Sequence, residues 1–299
     1  MIDYVIELDH VTKRFGDITA VAQLSLRVPE GTIYGFLGPN GAGKTTTIRM
    51  IMSIFYPDEG SIRVLGHHRA EDVKDRLGYL PEERGLYKKM KVLEILVYFA
   101  RLKGIDRATA RKRALTLLER FNLGDWASKP CESLSKGMSQ KVQILATLVH
   151  DPEVIILDEP FSGLDPVNRD VMRDLILEMK RQGRTIIFST HIMEQAEQIC
   201  DYIFLINQGR KILDGPLSEV KRSAEPAIHL DYDGDGSVLR QIPGLKRLND
   251  SGKHAEIVVN ASVDPQDVLR FLIDRIQIRG FVVREPSLHE IFIRAVGGA

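Results

Sequence analysis

Short apolar runs alternate along this chain with stretches whose apolar positions recur at helical spacing. Val154-Ile155-Ile156-Leu157 and Thr185-Ile186-Ile187-Phe188-Ser189 are continuous and rich in β-branched residues, the pattern of strands covered on both faces in a parallel sheet. Between them, Pro166 to Arg181 reads as a helix. An earlier run, Ile33 to Leu37, precedes a helix-like stretch from Thr46 to Ser53. Leu77 to Leu80 is a further strand, and Tyr202 to Ile206 turns through Asn207-Gln208-Gly209 into Arg210 to Leu213. Tyr4 to Leu8 and Val21 to Val28 alternate as strands flanking a turn at Phe15-Gly16-Asp17. From Lys91 to about Val149 the period becomes helical, with Leu93, Leu96, Val97 and Ala100 on one face and Ala114, Leu117, Leu118 and Phe121 on another. Strands alternating with helices, interrupted by a helical insertion at about 91–149, predict an α/β core over residues 1–222.

Composition shifts near Lys221 to Pro226, which marks a second domain, 223–299. Its order is strand (Ala227 to Tyr232), short helix (Ser237 to Ile242), strand (Leu245 to Asn249), turn, strand (Ala255 to Asn260), helix, strand (Ile278 to Arg284). That β-α-β-β-α-β succession predicts a small α+β domain of ferredoxin-like arrangement. Its second helix has Asp264 as cap and Pro265 at the first helical position. An amphipathic segment, Pro286 to Val296, closes the chain.

The 299 residues fit one large domain plus a smaller one, and 43% hydrophobic content supplies a core. Lysine plus arginine equals aspartate plus glutamate at 41 each, so no overall field draws the chain to nucleic acid or an acidic membrane surface. Cys131 and Cys200 lie far apart without metal-ligand spacing, as expected in a reducing cytoplasm. No apolar run is long enough to cross a bilayer, and the acidic N-terminal stretch is unlike a secretory leader, so any membrane role is expected to come through a partner.

Residues Gly38-Pro39-Asn40-Gly41-Ala42-Gly43-Lys44-Thr45 form a phosphate-binding loop in its required setting, after a strand and before a helix. The glycines let successive N–H groups point inward, and with the helix N-terminus, including Thr46, they make a concave anion site. Lys44 is expected to reach the β- and γ-phosphates and Thr45 to ligate Mg²⁺. Downstream, Asp158-Glu159 ends a buried strand, which suits Asp158 to the metal and Glu159 to activating or positioning water.

Leu134-Ser135-Lys136-Gly137-Met138 then introduces a helix with Val142, Leu145, Leu148 and Val149 on one face. The phosphate loop, this signature, Val154 to Pro160, Ser162-Gly163-Leu164-Asp165 and Ser189-Thr190-His191 follow in that order. Over about residues 4–221 the chain thereby resembles ATP-binding cassette ATPases. The resemblance implies ATP and Mg²⁺, with Phe15 stacking on adenine and His191 contacting the γ-phosphate beside the catalytic Lys44 and Glu159. It also implies that Ser135 and the Gly137 amide serve the nucleotide of a second subunit, so the active unit is a head-to-tail pair, a homodimer being expected. Lys136 and Met138 depart from the usual signature. So does Glu82, which stands after Leu77 to Leu80 where the family commonly has a glutamine that serves the metal.

Pro286-Ser287-Leu288-His289-Glu290-Ile291-Phe292-Ile293 resembles the closing motif of bacterial exporter ATPases of the drug-resistance and sodium-efflux kind, a branch in which Glu82 also has a counterpart. A ferredoxin-like domain is equally compatible with ligand sensing. The implied activity is ATP hydrolysis that powers a separate integral membrane permease from the cytoplasmic face, with Glu83 to Met90 docking through Leu86 and Tyr87. The alternative, a cassette ATPase working on ribosomes or DNA, generally brings two ATPase cores or a long coiled coil. Neither a second phosphate loop nor sustained heptads is present, and nucleic acid is not an expected partner.

Overall fold

The computed structural model describes residues 3–82, 85–223, 226–260 and 262–297. It divides into two compact units, Met1–Pro216 and Leu217–Ala299. The first opens with β1 (Tyr4–Phe15) and β2 (Ile18–Pro29), followed by β3 (Ile33–Leu37), α1 (Lys44–Ile51), β4 (Glu59–Val64) and β5 (Leu77–Leu80). The helical insertion comprises α2 (Val92–Leu102), α3 (Arg107–Arg120) and α4 (Lys136–Leu148). The chain then returns through β6 (Val154–Asp158), α5 (Pro166–Arg181), β7 (Thr185–Thr190), α6 (Met193–Ile199), β8 (Tyr202–Asn207) and β9 (Arg210–Pro216).

Among the described residues this unit holds two sheets, ordered β2-β1-β4 and β5-β6-β7-β3-β8-β9. The second is parallel except for β9 at one edge. Every residue of β3, β6 and β7 is buried, as their uninterrupted apolar runs require. Tyr34, Phe36, Ile48, Ile156 and Phe204 share one buried core with residues of β1, β2 and β4, and the insertion has its own core around Ile95, Leu96, Ala114, Leu118 and Leu145.

β1 runs well beyond Leu8, where its alternating pattern stops. The cause is local: His10 has φ 47° and the pairing with β2 slips between Leu8 and Val11, so a bulge shifts the side-chain alternation midway.

The second unit contains α7 (Leu217–Ser223), β10 (Ala227–Asp233), β11 (Leu245–Asp250), β12 (His254–Val259), α8 (Pro265–Ile273), β13 (Gln277–Arg284) and α9 (Leu288–Gly297). A 3₁₀ turn, Gly236–Gln241, occupies the place of its first helix. The sheet is antiparallel in the order β11-β12-β10-β13, so the last strand lies beside the first and the third on the first strand's other side. Tyr232, Ile257, Val268 and Leu272 lie in its core.

Candidate functional site

Parallel pairing brings the ends of three neighbouring strands to one edge. Leu37 of β3 is opposite Thr190 of β7, and Ser189 is opposite Asp158 of β6. The loops leaving these strands carry the phosphate loop, Glu159 and His191, which is where an open α/β sheet presents its ligand site.

After β3 the chain turns through Gly38 to Gly43. Gly43 has φ 106°, and a Cβ there would lie 2.7 Å from the Ala20 carbonyl oxygen, so neither the turn nor the space tolerates a side chain. Ala42 is buried, Pro39, Thr45 and Thr46 are half-buried, and Asn40 and Gly41 are exposed. Helix α1 begins at Lys44 with no side-chain cap, leaving its first N–H groups for an anion. Lys44 folds back over the loop, donating to the carbonyls of Gly38 at 2.8 Å and Pro39 at 3.2 Å. Its ammonium lies 3.6 Å from Glu159 Oε1. Burial draws the Lys44 pKa down, while the Glu159 and Asp158 carboxylates oppose that shift and favour the charged form.

Asp158 is fully buried at the end of β6. Its Oδ1 accepts a hydrogen bond from Ser189 Oγ, and the same hydroxyl accepts from the Glu159 N–H at 3.0 Å. Oδ2 is buried without a hydrogen-bond partner among the described residues. An orphaned buried carboxylate oxygen is costly, and a hard oxygen of this kind, like the hydroxyl of the half-buried Thr45, suits Mg²⁺. Asp158 and Thr45 therefore fit the expected metal.

Glu159 leaves the strand in the left-handed region, φ 49°, an uncommon conformation for a residue bearing a side chain. One oxygen, Oε1, faces Lys44 and also lies 3.0 Å from His191 Nδ1. Glu159 is buried whereas the His191 side chain is 44% exposed, so the histidine can meet a ligand from the solvent side.

Glu82, one residue beyond Pro81 at the end of β5, is exposed, and its charge favours the protonated form of Lys44. Glu83 and Arg84, at the start of the expected docking segment, lie outside the described residues. Within that segment Leu86 packs against the insertion core, while Tyr87 is exposed with its ring edge-on to Tyr98 at 6.0 Å. Phe15, at the tip of the β1–β2 hairpin, is 44% exposed; it is steadied edge-on by Phe55 at 5.5 Å, and the Lys13 ammonium lies 5.5 Å from its ring centre. A steadied, accessible ring is suited to stacking on a base.

Ser135 and Gly137 stand apart from this cluster in their contacts. Ser135 caps α4 by accepting from the Met138 N–H at 3.3 Å, and a Cβ on Gly137 would lie 2.8 Å from Asn168 Nδ2. Among the described residues, no hydrogen bond or ion pair joins Ser135 to Lys44, Glu159 or His191.

Three residues act here without a sequence expectation for their roles. Ser189 joins the buried ends of β6 and β7, as described. Gln140 is buried and donates to the Pro160 carbonyl at 2.8 Å, tying α4 to the residue after Glu159. Lys136 lies over Gly163, where a Cβ would come within 2.8 Å of the ammonium. A signal for Gln140 was available: it shares a helix face with the buried Ile144 and Thr147.

Residues 21–162 match the ABC transporter family, and residues 215–296 match the ATP-binding protein DrrA1-3-like, C-terminal domain. The chain is 42% identical to the Bacillus subtilis (strain 168) protein named uncharacterized ABC transporter ATP-binding protein YhaQ, over 98% of this chain and 99% of that protein. It is 35% identical to Nod factor export ATP-binding protein I of Burkholderia orbicola (strain AU 1054), over 98% of this chain and 97% of the relative. A solved structure described as an ATP binding subunit of an ABC transporter superposes with a TM-score of 0.68 and 31% identity, covering 73% of this chain and 92% of the other.

Proposed function

The chain belongs to the ABC transporter ATP-binding family, whose members couple ATP hydrolysis to transport, and on that premise we propose that it is the ATPase subunit of an exporter. The observation that carries the site assignment is the meeting of Lys44, Asp158, Glu159 and His191 at one edge of the parallel sheet. The exporter reading draws on full-length similarity to a protein named for Nod factor export and on the closing Pro286 to Ile293 motif.

The phosphate loop amides and Lys44 bind the triphosphate, Lys44 exchanging its loop carbonyls and Glu159 for phosphate oxygens. Phe15 stacks on the base. Glu159 orients the attacking water and takes its proton as the bond between the γ-phosphorus and the bridging oxygen breaks. His191 donates from Nδ1 to the Glu159 carboxylate, holding it in place, and meets the γ-phosphate on its exposed side. Asp158, Thr45 and Glu82 would hold Mg²⁺, which when bound neutralises phosphate charge.

Ser135 and the Gly137 amide complete the site of a second copy, so ATP closes a head-to-tail dimer and hydrolysis reopens it. No helix among the described residues is long and apolar enough to cross a membrane. In this reading the chain works at the cytoplasmic face through a permease subunit, with Tyr87 and its neighbour Tyr98 on the docking surface. A tagged Glu159→Gln protein isolated from native membranes in Mg-ATP tests this reading. It is expected to be a dimer, to carry an integral membrane subunit, and to turn over ATP at least a hundredfold more slowly than the unsubstituted protein. Recovery as a lone monomer, or undiminished turnover, would refute it.

A further inference from the structure

A cavity of about 520 Å³ lies away from the nucleotide site, between α3 of the helical insertion and the far end of α5. Its apolar lining includes Leu117, Phe121, Ile155, Leu175 and Met179. Arg120, Arg184, Lys112 and Arg113 line it with positive charge. Two of these cations are matched: Arg120 pairs with Glu178, and Arg184 Nη2 lies 2.5 Å from Asp151 Oδ1.

Arg113 is different. Its guanidinium makes no hydrogen bond or ion pair among the described residues, and Nη1 is shut off from water without an acceptor. A guanidinium offers five N–H donors in a planar fork that matches a carboxylate. Arg113 is half-buried and only Nη1 is closed to solvent, so its other donors remain open to an anion, and the wall carries a positive charge with which no carboxylate among the described residues pairs. The lining mixes apolar side chains with charged ones, the carboxylates Asp151 and Glu178 among them, and a pocket of this volume with both kinds of surface suits a small amphiphile.

We propose that this cavity binds an anionic amphiphile: a single-chain carboxylate whose headgroup pairs with Arg113 and whose hydrocarbon body covers the apolar lining. A bare anion would leave that lining wet, and a neutral chain would leave Arg113 unpaired. An occupant touching both α3 and α5 would bridge the insertion and the core.

The test uses the full chain and decanoate as probe, with acetate, inorganic phosphate and decanol as comparisons. Calorimetric titration is expected to give saturable binding of decanoate at one site, at least tenfold weaker in Arg113→Met and intermediate in Arg113→Lys. Acetate, phosphate and decanol should show no saturable binding over the same range. Thermal unfolding supplies a second readout: without ligand, Arg113→Met should melt no lower than the unsubstituted protein, because an unpaired charge has been removed. Decanoate should raise the melting temperature of the unsubstituted protein alone. The proposal is overturned if decanoate fails to saturate, if Arg113→Met binds it equally, if acetate, phosphate or decanol binds as well, or if Arg113→Met melts lower without ligand.

Discussion

In the proposed metal site, Glu82 would bring a full negative charge to a position where a neutral amide oxygen would suffice as a ligand. Attraction to Mg²⁺ opposes repulsion from the γ-phosphate. At an effective dielectric near 20, like charges about 5 Å apart repel by roughly 3 kcal/mol, enough to offset one metal contact. Glu82→Gln is therefore expected to keep Mg-ATP hydrolysis while shifting its dependence on Mg²⁺, measured as turnover against metal concentration at fixed ATP. Superimposable curves would remove Glu82 from the metal site. At this scale the identities of Lys44, Asp158, Glu159 and His191 were legible because each stands in a motif. The Ser189 link was not: its partners come from another strand, and only the β6–β7 register places its hydroxyl between Asp158 and the Glu159 amide.

Strand β5, which leads to Glu82, is anchored at its first residue by two insertion-side groups. Lys103 Nζ, just past α2, donates to the Leu77 carbonyl at 3.1 Å, and His150 Nε2, just past α4, lies 3.0 Å from the same oxygen. His150 is buried with Nδ1 lacking a partner, and desolvation first, with help from Lys103, brings its pKa down to about 4. The unfolded chain takes up this proton near pH 6.5 and the folded chain only near 4, so stability is present above 6.5 and lost as pH falls towards 4. Between pH 7.5 and 5 the loss from this residue is roughly 2 kcal/mol. His150→Gln, which retains a donor for Leu77, should remove that part of the loss, as read from urea midpoints at the two pH values. Equal losses in both proteins would exclude His150 as the cause. The elements bearing continuous runs or a full helical face were legible, and α5 starts and ends where its pattern does. β4 and α6 escaped notice because one has just two buried residues and the other barely two turns.

In the molecule as a whole, the change in sequence pattern falls near Lys221 to Pro226, whereas the two compact units part between Pro216 and Leu217, which assigns α7 to the second. What no local pattern conveys is how remote segments depend on one another. The Gln140–Pro160 hydrogen bond is such a dependence. Its helix begins at Ser135, which in the proposed pair senses the neighbour's nucleotide, and its acceptor adjoins Glu159, which acts on the chain's own. In the proposed pair, one buried bond would make each subunit a relay, receiving news of occupancy at one end and setting the timing of catalysis at the other. Cutting the relay should desynchronise the two sites without emptying them. Gln140→Leu is accordingly expected to retain ATP binding while its hydrolysis loses cooperativity, the Hill coefficient falling towards one. A coefficient above one that is unchanged by the substitution would show that the message travels by another route.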